Sequence, residues 1–320
     1  MVPSIRMIVL GTGDFALPTF EHLVESGYRV VALVTQPDRP QGRKQELVPS
    51  KIKQRAAVRG IAIAQPEDVN EPESLSRLRD FKPDLLVTAA YGQILSAELL
   101  SIPRLGGINL HGSILPSYRG AAPVARAIQN GETETGVTVI RMTPRIDAGG
   151  ILATAVTTIG PDETAGELEE RLARAGAPLV AQAVAALAAG PVAELPQDKT
   201  KVTRAPKLRK EDGLIDWSRP ALAIHNLVRA MQPWPVAYTT WLPRSPAAGD
   251  PLRVIVHRTE ITGGQGAPGE VIEAAADRLV VAGGEGAIAL RTIQLPGKKI
   301  LTAAEFLRGY RVQPGDRLGA

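Results

Sequence analysis

Apolar segments alternate with amphipathic segments through the first half of this chain, and this alternation limits its fold more than any other feature. The apolar runs read as buried strands, whereas apolar residues spaced by three and four indicate helices. Strands are predicted at residues 5–10, 30–35, 61–64, 84–89, 108–110 and 136–142, with helices at 18–26, 50–59 and 72–80. Buried strands that alternate with helices form βαβ units, so we expect a mostly parallel sheet with right-handed crossovers.

The pattern changes after residue 189. Two Ala-rich helices are predicted over 163–175 and 178–189, because Gly176 can end the first and Pro178 suits the first turn of the second. Residues 190–210 contain three prolines and no periodicity, which is typical of a linker. Beyond a helix at 218–231, short strands are predicted at 252–257, 270–274, 279–281 and 287–293, followed by a helix at 302–308. Short strands at near-regular spacing indicate a small β-barrel.

The predicted fold class is therefore α/β, with a Rossmann-like, mostly parallel sheet and a second, smaller, OB-like β-barrel domain. We expect the first domain over 1–189, the linker over 190–210 and the barrel over 211–320. A length of 320 residues suits two domains of ordinary size.

Charge is distributed unevenly between the two halves. Residues 1–189 carry 19 Lys and Arg against 20 Asp and Glu, whereas residues 190–320 carry 18 against 13. One stretch holds six basic side chains and no acid: Lys199, Lys201, Arg204, Lys207, Arg209 and Lys210. Two interpretations stay open on charge alone, a surface that binds a polyanion and a solvated linker.

Composition excludes several classes of site. The chain has no cysteine, which excludes disulfides, Cys-ligated zinc, iron–sulfur clusters and thiol nucleophiles. Its four histidines, at 22, 111, 225 and 257, form no close pair, so no metal site is predicted. The longest nearly unbroken apolar run, 179–189, is shorter than the roughly 20 residues that span a bilayer. The N-terminal apolar run stops at Gly11, too early for a secretory signal, so we expect a cytoplasmic protein without a membrane partner.

A glycine-rich turn follows the first predicted strand. Residues 11–16, Gly-Thr-Gly-Asp-Phe-Ala, have the G-x-G-x-x-A spacing of a dinucleotide-binding turn. A tight strand-to-helix connection needs the same glycines. The acid that lies about 20 residues on, Asp38, stands between Pro37 and Pro40 and fits a ribose ligand poorly. The structural interpretation of this turn is favoured.

Polar side chains converge near the end of a later strand. Asn109 and His111 are two residues apart, so period-two geometry places both on one face of the strand. Parallel sheets present their ligands at the carboxyl ends of strands. Asp147 follows another strand, and beside His111 it would fix the ring's tautomer and stabilise its cation. Such a set suits acyl-type transfer to an amine through a tetrahedral intermediate.

These residues lie in motifs that resemble those of the folate-dependent formyltransferases. The segment Ile108–Pro116, Asn-x-His followed by a Ser-Ile-Leu-Pro stretch, is similar to that family's motif, and Asp147-Ala148-Gly149 stands at the expected distance after it. Further segments resemble the branch of the family that acts on tRNA: 35–43, 118–123, 215–217, 233–235, 297–299 and 314–318. The resemblance extends over nearly the whole chain.

The resemblance implies a specific activity. A formyl group would pass from 10-formyltetrahydrofolate, a co-substrate, to the α-amino group of methionyl-initiator tRNA, in support of translation initiation and without a metal. Asn109 and His111 would stabilise the oxyanion, and Asp147 would pair with His111 and assist proton removal. The residues implied to line the folate pocket are Ser113, Ile114, Leu115 and Pro116. Those implied to contact tRNA are Arg43, Lys207, Arg209 and Lys210, and a monomer is expected.

The sequence departs from the family pattern at three places, and three other functions stay open. Ile114 replaces the usual leucine, Lys44-Gln45-Glu46 makes the loop after Arg43 less basic, and Pro144-Arg145 precedes Asp147. A sugar-nucleotide formyltransferase would share the site, as would the hydrolase half of a formyltetrahydrofolate dehydrogenase. A non-catalytic RNA-binding module built on the same fold is the third. The basic second half argues against the first, the end of the chain at Ala320 against the second, and the intact Asn, His and Asp against the third.

Overall fold

The computed structural model describes residues 4–41, 46–242 and 250–319. Its helices are α1 (Leu17–Glu25), α2 (Lys51–Val58), α3 (Pro72–Asp80), α4 (Ala97–Ser101), α5 (Pro123–Gln129), α6 (Ala165–Ala189), α7 (Ala221–Ala230) and α8 (Ala303–Gly309). The strands are β1 (Arg6–Gly11), β2 (Arg29–Val34), β3 (Pro40–Gln41), β4 (Glu46–Leu47), β5 (Ala62–Ala64), β6 (Leu85–Ala89), β7 (Gly107–His111), β8 (Arg119–Gly120), β9 (Glu134–Arg141), β10 (Ile151–Thr158), β11 (Arg204–Ala205), β12 (Ala237–Leu242), β13 (Leu252–Thr262), β14 (Val271–Ala275), β15 (Arg278–Ala282), β16 (Ala287–Gln294), β17 (Ile300–Thr302) and β18 (Arg317–Leu318).

The chain divides into two compact units. The first, here the α/β unit, comprises Met1–Pro123, Glu134–Thr158 and Leu168–Pro206. The second, here the barrel unit, comprises Val124–Thr133, Ile159–Glu167 and Lys207–Ala320. Each unit therefore combines segments that are distant in the sequence.

The α/β unit is built on a seven-stranded sheet in the order β10-β9-β7-β6-β1-β2-β5. The five strands from β7 to β5 are parallel, and β9 and β10 add antiparallel pairs at one edge. The predicted Rossmann-like, mostly parallel sheet is confirmed. Strand β10 was not predicted, because it is an edge strand whose residues are at most partly buried and form no apolar run.

The glycine turn after β1 has a packing reason. A Cβ on Gly11 would lie 2.5 Å from the Cβ of Ala16 and 3.0 Å from the carbonyl oxygen of Ala89, so only glycine allows the chain to turn back here. Gly13 has a φ of +76°, a conformation that glycine adopts without strain. Both observations agree with the structural interpretation of this motif.

Helix α6 is a single helix, Ala165–Ala189, and the prediction of two helices was wrong. Gly176 does not end it. A Cβ there would lie 2.6 Å from Leu110 Cδ2, so the glycine lets the helix approach strand β7. Buried residues continue on both sides of Pro178, among them Leu172 and Val180, and their packing outweighs the hydrogen bond that a proline removes. Among the described residues this is also the one helix long and apolar enough to cross a membrane, although 44% of its apolar window is buried in the fold.

The barrel unit contains the predicted small β-barrel. Its strands run antiparallel in the order β14-β15-β16-β13-β12-β18, with β17 paired to β16. The ring closes because Leu318 N donates to Gly269 O at 2.7 Å and Val271 N donates to Asp316 O at 2.9 Å. Trp217 and Trp241 are buried in its core and donate from Nε1 to Thr239 and Asp316 respectively. Strand β12 was not predicted.

Residues of the predicted linker are part of the α/β unit as far as Pro206. Strand β11 pairs in parallel with β8, and Leu195 exchanges backbone hydrogen bonds with Ile151. The compact units thus divide the chain at different places from the boundaries at 189 and 210. The division into functional domains at those predicted boundaries stays a prediction.

Glu167, in the first turn of α6, makes the stability of the barrel unit depend on pH. The backbone N–H and the hydroxyl of Thr164 donate to its carboxylate at 2.8 and 2.7 Å, and Arg258 donates at 2.7 Å. These donors lower the pKa of Glu167 from 4.5 to about 2. Since the folded pKa is lower than the unfolded one, the carboxylate stabilises the fold above about pH 4.5 and loses that effect as the pH falls to about 2.

We therefore expect Glu167→Gln to lower stability at pH 7 and to flatten its pH dependence between about pH 4.5 and 2. Urea unfolding at a series of pH values measures both effects. Glu170→Gln is the control, because it removes only an exposed ion pair with Arg174. An unchanged slope in the Glu167 variant, or an equal change in the control, would contradict this account.

Candidate active site

Strand β7 presents Asn109 and His111 at its carboxyl end. Leu110, between them, faces the opposite way and packs on Gly176 of α6. The two polar side chains therefore share the other face of the sheet, as period-two geometry predicts. Asn109 is partly exposed, whereas His111 is 5% exposed.

The ring of His111 lies between two acceptors. Its Nε2 lies 2.9 Å from the carbonyl oxygen of Tyr118, which can only accept, so Nε2 carries a proton. Its Nδ1 lies 3.6 Å from Asp147 Oδ2, beyond hydrogen-bond distance. The tautomer is thus fixed by a backbone carbonyl, and not by the carboxylate to which sequence reasoning assigned that role. A ring protonated on both nitrogens has an acceptor oxygen on each side.

Asp147 is placed by its own backbone and by a backbone donor. It has a φ of +49°, in the left-handed region that non-glycine residues seldom adopt. Gly120 N donates to Asp147 Oδ2 at 2.9 Å, and the side chain is 13% exposed. The carboxylate therefore stands at a defined position beside His111, 36 residues away in sequence.

Thr88 orients the side chain of Asn109. Thr88 lies opposite Asn109 in the register of β6 and β7, and its hydroxyl is 2.7 Å from Asn109 Oδ1. The Thr88 side chain is buried. With Oδ1 held by this hydroxyl, the amide NH₂ of Asn109 is left to donate elsewhere.

The loop after β7, residues 113–116, is held by Thr138 of β9. Its hydroxyl donates to Ser113 O at 2.7 Å and accepts from Leu115 N at 3.1 Å. Ser113 is fully buried and donates to Ser117 O at 2.6 Å, so its side chain braces the loop. Leu115 is buried, whereas Ile114 and Pro116 are partly exposed. Of the four residues predicted to line a pocket, Ile114 and Pro116 offer the accessible surface.

We expect Thr138→Val to loosen this loop, because the buried Leu115 N and Ser113 O each lose their hydroxyl partner. An unsatisfied buried group costs about 1–3 kcal/mol. A folate analogue should bind more weakly, which a fluorescence titration measures, while Tm falls modestly. The control is Thr154→Val on edge strand β10, which Thr138 faces in the sheet register. Equal folate affinity in the Thr138 variant and the parent would contradict the role given to the loop.

The residues predicted to contact tRNA are only partly described. Arg43 lies outside the described residues. Lys207, Arg209 and Lys210 all belong to the barrel unit, and their side chains are exposed. Within the described ranges, no group of three or more His, Cys, Asp or Glu side chains could hold a metal ion.

Sequence reasoning missed several residues around the site. Tyr118 and Gly120 contribute a carbonyl and an N–H, and they stand in a motif that had been singled out for its resemblance. Thr88 could have been found from its place opposite Asn109 on the neighbouring predicted strand. Gln197, whose side chain contacts Asp147 and Gly149 through their carbonyl oxygens, carries no sequence signal.

Two family models match the chain. One, described as Formyl transferase, matches residues 5–184, and the other, Formyl transferase C-terminal domain, matches residues 207–311. Among solved structures, HypX from Aquifex aeolicus in complex with tetrahydrofolic acid is similar, with a TM-score of 0.64 at 16% identity over 96% of this chain and 48% of that one. An N-formyltransferase from Helicobacter canadensis has a TM-score of 0.64 at 16% identity over 89% of this chain and 98% of that one. At such identities these structures show the fold alone.

Curated relatives are much more similar in sequence. A methionyl-tRNA formyltransferase of Citrifermentans bemidjiense is 46% identical over 99% of this chain and 97% of the relative. One of Moorella thermoacetica is 42% identical over 98% of this chain and 99% of the relative. Both alignments extend through the α/β unit and the barrel unit. The chain therefore belongs to the methionyl-tRNA formyltransferases, within the formyl transferase family.

Proposed function

We propose that the enzyme transfers the formyl group of 10-formyltetrahydrofolate to the α-amino group of methionyl-initiator tRNA and so supports translation initiation, with Asn109, His111 and Asp147 as its catalytic residues. The observation that carries the assignment of these residues is their convergence at the end of β7. Two polar side chains share one strand face, and the Asp147 carboxylate stands 3.6 Å from the ring of His111. Similarity to methionyl-tRNA formyltransferases over nearly the whole chain supports the choice of substrates.

The developing negative charge on the formyl oxygen needs donors. The amide NH₂ of Asn109 is one, because Thr88 occupies the other end of that amide. His111 is the second. Its Nε2–H is already bonded to Tyr118 O, so in this proposal the ring is protonated on both nitrogens and donates from Nδ1 to the formyl oxygen. Preorganised donors of this kind stabilise a tetrahedral intermediate in which the new C–N bond has formed and the old one has not yet broken.

Proton movement falls to Asp147. The attacking amine loses a proton as its nitrogen bonds to the formyl carbon, and the folate nitrogen gains one as the old C–N bond breaks. A carboxylate beside the reacting atoms accepts the first proton, directly or through one water. Gly120 N holds Asp147 Oδ2 at 2.9 Å, which leaves Oδ1 as the oxygen that meets the amine.

The two substrates approach different parts of the chain in this proposal. Ile114 and Pro116 contact the folate, supported from behind by the buried Ser113 and Leu115. Arg43 contacts the acceptor stem. Lys207, Arg209 and Lys210 bind phosphates of the tRNA, since exposed basic side chains contribute most of the affinity for a polyanion. Residues 1–189 thus act as the catalytic domain and 211–320 as the tRNA-binding domain.

One assay tests the function. The protein is incubated with a formyl-labelled folate donor and with either charged initiator tRNA or an amino-sugar nucleotide, and the labelled product is counted. We expect label on the methionyl-tRNA alone. Label on the sugar nucleotide, or on neither acceptor with release of free formate, would contradict the proposal.

The family resemblance bears on the state of the protein in the cell. It implies a monomer, and we propose a monomer that acts in the cytoplasm, where charged tRNA is used. Sedimentation at assay concentration tests the first statement, and cell fractionation tests the second.

A further inference from the structure

Gln197 uses all the hydrogen-bonding capacity of its side-chain amide. Its Nε2 donates to Asp147 O at 2.9 Å and to Gly149 O at 2.7 Å. Its Oε1 accepts from Arg119 Nε at 3.1 Å and from Arg119 Nη2 at 2.7 Å. An amide has two donors and two acceptor lone pairs, so no capacity is left for a ligand. The side chain is partly buried.

The contacts of Gln197 join the two loops that build the surroundings of His111. One loop carries Asp147, and the other runs through Tyr118 into β8, Arg119–Gly120. The loops meet directly where Gly120 N donates to the Asp147 carboxylate. Gln197 adds the connection between the Asp147 backbone and the Arg119 guanidinium. A backbone in the left-handed region costs about 1–3 kcal/mol and persists where surrounding contacts determine it.

The segment that carries Gln197 is itself fixed to this unit. Leu195 exchanges backbone hydrogen bonds with Ile151 at 2.8 and 2.9 Å, just after the Asp147 loop. Thr203 accepts from Arg119 N through its carbonyl oxygen and from Tyr118 N through its hydroxyl. Gln197 therefore lies in a segment that is hydrogen-bonded next to both loops, to one through Leu195 and to the other through Thr203.

We propose that Gln197 is a positioning residue for formyl transfer, which holds the Asp147 loop so that the carboxylate stands at its working distance from His111. The inference rests on the proposed roles of His111 and Asp147. The Gln197 side chain hydrogen-bonds to the backbone of the Asp147 loop and to Arg119, so in this proposal it acts through the position of Asp147. A displacement of about 1 Å in a catalytic group can cost on the order of 10²-fold in rate.

The test uses the full-length enzyme. Gln197→Leu removes all four hydrogen bonds with little change in volume, and we expect kcat to fall about 10- to 100-fold while KM for folate and for tRNA changes less than about 3-fold. Gln197→Glu keeps the acceptors for Arg119 and loses the two donors to the loop. The fall in kcat for Gln197→Glu should be nearly as large as for Gln197→Leu, because the hydrogen bonds to the Asp147 loop, and not those to Arg119, position the carboxylate.

A matched control comes from the neighbouring residue. Asp198 caps the short helical turn Lys199–Lys201 by accepting from Thr200 N and Oγ1, so these hydrogen bonds lie within its own segment. Asp198→Ala disturbs the same segment, and kcat should stay within about 2-fold of the parent, as for surface changes in general. If this variant loses as much kcat as Gln197→Leu, Gln197 is only structural.

A double-mutant cycle separates positioning from stability. In the Asp147→Ala background, Gln197→Leu should lower kcat by less than about 3-fold further, since the group that it positions is gone. An undiminished second loss would overturn the proposal, as would wild-type kcat in both Gln197 variants. If the parent enzyme does not formylate methionyl-tRNA, or if Asp147→Ala keeps full activity, the proposed function itself is wrong. That outcome differs from a failure of the Gln197 proposal alone, in which the parent is active and Asp147→Ala is impaired.

Discussion

Replacing His111 with alanine is expected to lower kcat for formyl transfer by about 10²–10³-fold, the loss typical of one missing oxyanion donor. Asn109→Ala should cost a similar factor, because its amide is the other proposed donor at the end of β7. Asp147→Ala should fall in the same range through the lost proton acceptor. Single-turnover measurements with saturating folate and charged tRNA isolate the chemical step. KM for either substrate should change little, since the donors act on charge that appears only in the transition state.

A second buried histidine supplies the control. His225 is 6% exposed in the barrel unit, with its ring nitrogens 3.0 Å from Thr259 Oγ1 and 3.1 Å from Pro161 O. His225→Asn should lower Tm and leave kcat per folded molecule unchanged. Near-parental kcat in His111→Ala, or an equal loss of kcat in both variants, would show that the site is placed wrongly.

Reversing the charge of Lys207, Arg209 and Lys210 with glutamate is expected to produce the second large effect. Each phosphate contact that is lost reduces the salt dependence of the logarithm of the binding constant by about 0.7–0.9 per decade of salt. Three lost contacts therefore reduce that slope by roughly 2–3. The KM for tRNA should rise steeply at low salt. The KM for folate should stay the same, because the proposed folate contacts, Ile114 and Pro116, lie in the α/β unit.

A charge-matched variant decides between a local and a global effect. Arg29, Arg77 and Lys82 are exposed in the α/β unit, and their reversal to glutamate changes net charge by the same amount. If that variant weakens tRNA binding equally, net charge alone steers the tRNA. Unchanged tRNA affinity and salt slope after reversal of Lys207, Arg209 and Lys210 would remove these residues from the proposed interface.

Much of the α/β fold could be predicted from the sequence. Buried parallel strands leave continuous apolar runs, so strands β1, β2, β6, β7 and β9 were recognised close to their observed bounds. The shared face of Asn109 and His111 also follows from local geometry, since a strand alternates its side chains whatever surrounds it. Edge strand β10 and barrel strand β12 lacked such a run, because each becomes a strand by pairing with a neighbour.

Helix α6 shows where local signals fail. Gly176 and Pro178 predict a break, but the buried residues on either side continue to pack, and Gly176 serves the close approach to Leu110. Intrinsic propensity is a weak guide wherever tertiary packing contributes more free energy.

By itself the sequence determined the α/β class, the barrel, the strand that carries Asn109 and His111, and the motifs that identify the family, because periodicity and motif spacing are local properties of a chain. Only the tertiary structure decided that Tyr118 O fixes the tautomer of His111, that Gly120 N holds the Asp147 carboxylate, and that Gln197 holds its backbone. Those contacts join residues 7 to 50 positions apart through single hydrogen bonds. A single hydrogen bond between distant residues leaves no periodic trace in a sequence, and it exists only once the sheet has brought its strand ends together.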